Sequence, residues 1–265
     1  MQRRRIELSV NKSGGLLTHS NRENSIIQLR HRVIEMKPET EGKGFPNTLN
    51  LIVSILVHLL LLAPVLYIIS IFSINYQFFS WHPICMSVGV GLLIIEGVFS
   101  ISGEANLSHR LSRVNRVTAH WIMNTVGLTL MFIGLIIIVI NKNRHDKPHF
   151  ATTHGQLGLS SIVIASVVAC FGILANNTRW LYPRVRPILI KVGHAFGGIA
   201  MTILFIATII NGVYKMPHLL GDTGNALICA ALVIAVVLVL FKPIIAAIAR
   251  TKVILQPPQT HNQST

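Results

Sequence analysis

From residue 49 onward the chain alternates between long apolar stretches and short polar joints. Apolar runs fall at 49–74, 79–101, 118–141, 150–175, 189–213 and 224–249. A helix crossing the hydrocarbon core needs about 20 mostly apolar residues, so each of these runs is long enough for one span. Stretches such as "MFIGLIIIVI" show no period-two alternation, which argues against a barrel assembled from alternating segments of about 10 residues. The pattern predicts an all-α, polytopic membrane protein with six transmembrane helices.

The ends read differently. Residues 1–48 are polar and basic and hold no long apolar run, as expected of a mostly disordered cytosolic tail. Arg3 to Arg5 are not followed by an apolar core, so the first span is expected to act as an uncleaved signal anchor. Residues 49–250 form the expected membrane domain, and 251–265, ending in "QPPQTHNQST", a second cytosolic tail.

Composition agrees, with 51% hydrophobic and only 12% charged residues. Of 23 Lys and Arg, nineteen fall in the two tails, the loops at 102–117 and 176–188 and the span ends beside them, which puts both termini in the cytosol. The formal charge of +14 is this topological bias together with attraction to anionic lipid headgroups, and it gives no reason to expect nucleic-acid binding. Cys85, Cys170 and Cys229 all lie in spans and imply no disulfide framework. The sequons at Asn106 and Asn176 lie in loops assigned to the cytosol, where glycosylation is not expected.

Histidine changes the picture. His82, His120, His154 and His194 recur near the starts of the second to fifth spans, and ionisable groups at membrane depth are costly enough to suggest function. Successive spans run antiparallel, so His82 and His154 belong to the non-cytosolic side and His120 and His194 to the cytosolic side. A neutral imidazole offers one nitrogen to a metal while the other donates a hydrogen bond. Each pair can therefore clamp one iron from opposite sides of a porphyrin, an arrangement suited to electron transfer. Gly89, Gly127, Gly158, Gly197 and Gly198 stand three, four or seven residues beyond a histidine, on its own helix face. They would leave room for a flat macrocycle, or equally let membrane helices pack closely.

The segments "WHPICMSVGVGLLIIEG", "RVTAHWIMNTVGL", "KPHFATTHGQLGL" and "LIKVGHAFGGIAM" resemble the eukaryotic cytochrome b561 family, and within it the cytochrome b561 domain-containing branch. The likeness covers residues 79–214 and implies a central four-helix heme-binding bundle within six spans. It implies two b hemes, one on His120 and His194 and the other on His82 and His154. It further implies electron transfer from cytosolic ascorbate to monodehydroascorbate or a ferric chelate across the membrane, and it is compatible with a homodimer. In two places the chain departs from the family, in "THGQLG" of the fourth span and in the length of the amino-terminal tail. Ligands a few residues inside each face put the irons about 15 to 20 Å apart. An endomembrane (endoplasmic reticulum, endosome, lysosome or secretory vesicle) is expected ahead of the plasma membrane.

Ascorbate is an anion, so its site should be basic. Arg113 and Arg116 precede His120 by one to two helical turns and Lys191 precedes His194 by about one; topology alone would also account for these cations. On the other face His149 matches the family's Pro-His position five residues before His154 and is the expected contact for the acceptor. Glu96 could orient a ligand histidine, relay a proton or merely meet water at a helix end. His58, on the first span outside the heme-binding core, is expected to be structural or to sit at the lipid interface.

A transporter or proton channel using the same histidines for Zn²⁺ or protons, without heme, is the rival from another class. Against it stand the absence of an inverted repeat, the scarcity of intramembrane acids besides Glu96, and histidines split between faces rather than gathered at mid-membrane. A heme-free structural membrane protein is the third reading.

Overall fold

The computed structural model of the chain describes residues 48–74, 76–102, 111–215 and 217–255. The tail at 1–47, the Asn106 sequon, Arg110 and residues 256–265 lie outside the described residues. Helix α1 is Thr48–Ile74. Helix α2 is composite: a 3-10 turn Phe78–Ser80, an α-helical piece Trp81–Met86, a π-helical stretch Ser87–Ile94 and an α-helical end Ile95–Ser102 follow without a break. Then come α3 (Arg113–Asn143), α4 (Thr153–Asn176), α5 (Pro187–Val213) and α6 (Pro217–Leu255). All six are long and apolar enough to cross a membrane, and the described residues contain no strand. The chain is a multi-pass, all-α membrane protein.

Boundaries differ from the apolar runs where polar residues do the capping. α3 begins at Arg113, ahead of its apolar run, because extended Ser112 accepts a hydrogen bond from the Asn115 N–H. α4 begins only at Thr153, since Thr152 caps it through the Gly155 N–H and Phe150 has φ 51. α5 starts on Pro187, whose missing N–H costs nothing in a first turn. α6 continues to Leu255, so the first residues of the expected carboxy-terminal tail are helical.

α1 and α6 pack on each other and against α2 and α5. Val57, Leu61, Phe99, Leu232, Ala235 and Val239 are buried in that contact. A second core, with Val90, Ile94, Met131, Ala165, Met201 and Phe205, lies within the α2–α5 bundle. In its most apolar window α2 is 56% buried and α3 only 17%, so α2 is central while α3 turns Trp121, Phe132 and Ile136 outward, as lipid requires. Where α2 and α3 cross, a Cβ on Gly89 would stand 2.7 Å from the Gly127 carbonyl, and one on Gly127 equally close to that of Gly89. A Cβ on Gly197 would meet Val168 at 2.9 Å. These three glycines serve close helix packing; of the five named above, Gly198 alone has open space beside it.

Candidate functional site

The bundle brings the four span-start histidines together in two pairs. His82 of α2 faces His154 of α4, and His120 of α3 faces His194 of α5, each pair with ring centres 6.2 Å apart. The rings are close to perpendicular, at 88° and 89°.

Each imidazole is held from a neighbouring helix through Nδ1. His82 Nδ1 lies 2.9 Å from the Gly134 carbonyl oxygen and His120 Nδ1 2.8 Å from that of Gly97. His154 Nδ1 lies 3.0 Å from the Thr208 carbonyl and His194 Nδ1 3.2 Å from that of Val168. A carbonyl oxygen only accepts, so every Nδ1 carries the proton and donates it, leaving the Nε2 lone pair free. Metal-bound histidines are commonly oriented in this way.

The clamps follow one rule of spacing. In α3, α4 and α5 the accepting carbonyl lies fourteen residues beyond that helix's own histidine: Gly134 after His120, Val168 after His154, Thr208 after His194. In α2 the interval from His82 to Gly97 is fifteen, and α2 is the helix with the π-helical stretch. A π-turn accommodates one extra residue within an α-helix, so Ser87–Ile94 takes up the difference and keeps Gly97 in register. Because helices in each clamped pair run antiparallel, fourteen residues at about 1.5 Å each put the two histidine pairs about 21 Å apart along the bundle.

The donor set suits a single metal ion within each pair. Two metal–nitrogen bonds of about 2 Å, with about 1.1 Å from each Nε2 to its ring centre, need about 6.2 Å, which is the separation found. Among the described residues there is no cluster of three or more His, Cys, Asp or Glu, as a closed four-ligand zinc site would need. Beyond the histidines the sites depend on residues with no chemistry of their own. A Cβ on Gly212 would stand 2.8 Å from His154 Cε1, and one on Gly172 3.1 Å from His194 Cε1. Both glycines lie one turn past the clamping carbonyl, and only that offset, four residues after an interval of fourteen, could have marked them in the sequence.

The expected substrate residues distribute by end. Exposed Arg113 and half-buried Arg116 open α3, and exposed Lys191 lies one turn before His194, all at the His120–His194 end. At the other end exposed His149 donates from Nε2 to Asn143 Oδ1 at 2.7 Å, and His145 Nδ1 to the Asn141 carbonyl. Lys142 donates to the Pro148 carbonyl at 2.6 Å, and Arg144 lies 4.3 Å from the centre of the Phe78 ring. Lys142 and Lys215 act electrostatically on His154.

Glu96 does not meet water at a helix end and its carboxylate does not meet a paired histidine. It is buried, and its Oε1 lies 2.7 Å from Nδ1 of His58, a half-buried residue of α1.

Residues 81–218, just over half of the chain, match the family model described as eukaryotic cytochrome b561. The human transmembrane reductase CYB561D2 is 29% identical over 179 residues, 66% of this chain and 78% of that protein. The human probable transmembrane reductase CYB561D1 is 26% identical over 191 residues, 72% and 83% of the two chains. The mouse lysosomal membrane ascorbate-dependent ferrireductase CYB561A3 is 25% identical over 141 residues, 51% of this chain and 54% of that one.

Proposed function

Because the chain belongs to the eukaryotic cytochrome b561 family of heme b proteins, and so to the transmembrane electron carriers, we propose that it passes electrons from cytosolic ascorbate to monodehydroascorbate or a ferric chelate across the membrane. When bound, heme supplies a one-electron iron couple, with no open coordination site if two histidines ligate it. His120 and His194 are the ligands of one heme and His82 and His154 those of the other, so two hemes are held.

The observation that carries this reading is the set of four Nδ1 clamps. They fix every ring in the tautomer that presents Nε2, in two pairs whose spacing suits one iron each. The mouse relative is an ascorbate-dependent ferrireductase by name, which supports ascorbate as donor and a ferric acceptor. Arg113, Arg116 and Lys191 attract the anionic donor at the mouth beside His120 and His194, which is cytosolic if the excess of Lys and Arg marks the inside. His149 receives the acceptor at the other mouth, with Lys142 and Lys215 adding positive charge there. Both termini are cytosolic on the same rule, and an endomembrane is the proposed address.

The test is spectroscopic. Purified protein reduced by ascorbate should show the sharp α and β bands of bis-histidine heme b, at two hemes per chain. His120→Ala and His194→Ala should lose one heme, and His82→Ala and His154→Ala the other. Loss of the same heme from His82→Ala and His120→Ala would refute the pairing, and a colourless parent protein would refute the function.

A further inference from the structure

We infer that His58 and Glu96 form a proton-binding site that takes up the proton released when ascorbate gives up its electron; this rests on the reading above. The two residues meet from different helices, His58 on α1 and Glu96 on α2, with Nδ1 to Oε1 at 2.7 Å. The glutamate side chain is 11% exposed and that of the histidine 36%. The surroundings are apolar: the Phe99 ring stands edge-on to His58 at 5.7 Å, and Val57, Leu61 and Ile95 are fully buried in the same core. A carboxylate and an imidazole inside two apolar spans give no better stability than hydrophobic residues of the same size. Ionisable pairs at such depth otherwise mark proton pathways.

Position links the pair to the electron site. The residue after Glu96 is Gly97, whose carbonyl accepts from His120 Nδ1 at 2.8 Å and from Ser100 Oγ at 2.8 Å. The acid thus stands one peptide unit from the clamp on His120. Among the described residues, the helices packed around α1 and α2 also carry His120 on α3, His194 on α5 and Lys242, Arg250 and Lys252 in the carboxy-terminal half of α6. With the pair protonated its net charge is zero, and with the proton gone it is minus one. An electron arriving at the His120–His194 end raises the pair's affinity for a proton, and by reciprocity a proton on the pair favours the electron.

The chemistry of the donor calls for such a site. Ascorbate near neutral pH is a monoanion; losing one electron, it becomes the monodehydroascorbate radical anion and releases one proton. Heme, when bound, would supply the iron couple that takes the electron, and the proton goes to His58–Glu96. When the electron moves on to the other end, the pair's affinity falls and the proton returns to solvent.

The test is the midpoint potential of each heme against pH, by spectroelectrochemistry on the purified holoprotein. In the parent, the potential of the heme assigned to His120 and His194 should fall as pH rises. In Glu96→Gln and in His58→Gln that slope should drop by at least half, while the other heme keeps its own. A purely structural role would shift the potential by the same amount at every pH and leave the slope intact. Slopes equal to the parent's in both variants overturn the inference and leave the heme assignment standing. Should Glu96→Gln lose heme, His58→Gln decides alone, since α1 lies outside the α2–α5 bundle. A parent without heme bands overturns the function and this inference with it.

Discussion

At the scale of single residues, four histidines are legible in the sequence because a costly side chain recurs at the start of four successive spans. Their holders are not legible, because every one is a main-chain carbonyl and any residue type can offer it. Gly172 and Gly212 are the exceptions that side-chain chemistry could never reveal, since what they supply is the lack of a Cβ. Gly212→Val puts bulk where a Cβ already stands 2.8 Å from His154 Cε1, so either the ring or α5 must shift. Overpacking of this kind costs about 1–3 kcal/mol. The expected outcome is loss or spectral broadening of the heme on His82 and His154 with the other unaffected, read from low-temperature absorption spectra. The His58–Glu96 contact was out of reach for another reason: a single sequence does not say which face of α1 meets α2.

At the scale of elements, six spans follow from the physics of lipid, and capping by Ser112 and Thr152 accounts for where two of them begin. The π-helical stretch of α2 is invisible to hydropathy, because Ser87–Ile94 is as apolar as an ordinary span. It is visible only as the interval of fifteen that stands beside three of fourteen. Its origin as one extra residue makes an unusual prediction. Removing Leu93 should return α2 to regular α-helix with an interval of fourteen, so both hemes should still bind. Removing Leu128 from α3 leaves thirteen residues between His120 and Gly134, which turns the carbonyl about 100° around the helix axis. That variant should lose the heme on His82. Heme content measured by pyridine hemochrome on the two deletions checks the pair. The idea is sunk if the Leu93 deletion is the more damaging of the two.

At the scale of the whole molecule, cations gather at both ends: Arg113, Arg116 and Lys191 beside His120 and His194, and Lys142 and Lys215 near His154, so on the proposed function each end would draw anions. Arg116→Ala and Lys191→Ala are expected to slow ascorbate reduction several-fold at low salt, with the difference from the parent shrinking as ionic strength rises. His149→Ala should slow reoxidation by an external acceptor and leave ascorbate reduction alone; stopped-flow traces from each side separate the two. The clamps also divide the molecule in a way the helix order does not announce. Those on His82 and His120 join α2 to α3, and those on His154 and His194 join α4 to α5, whereas both histidine pairs reach from one hairpin to the other. Each hairpin can therefore leave the translocon as a finished half, and heme bound between the pairs would join the halves beyond what their shared apolar core does. Starving cells of heme should then shorten the protein's lifetime in a pulse-chase experiment, rather than let a colourless but durable protein accumulate, because a cofactor that binds only the joined form protects only the joined form.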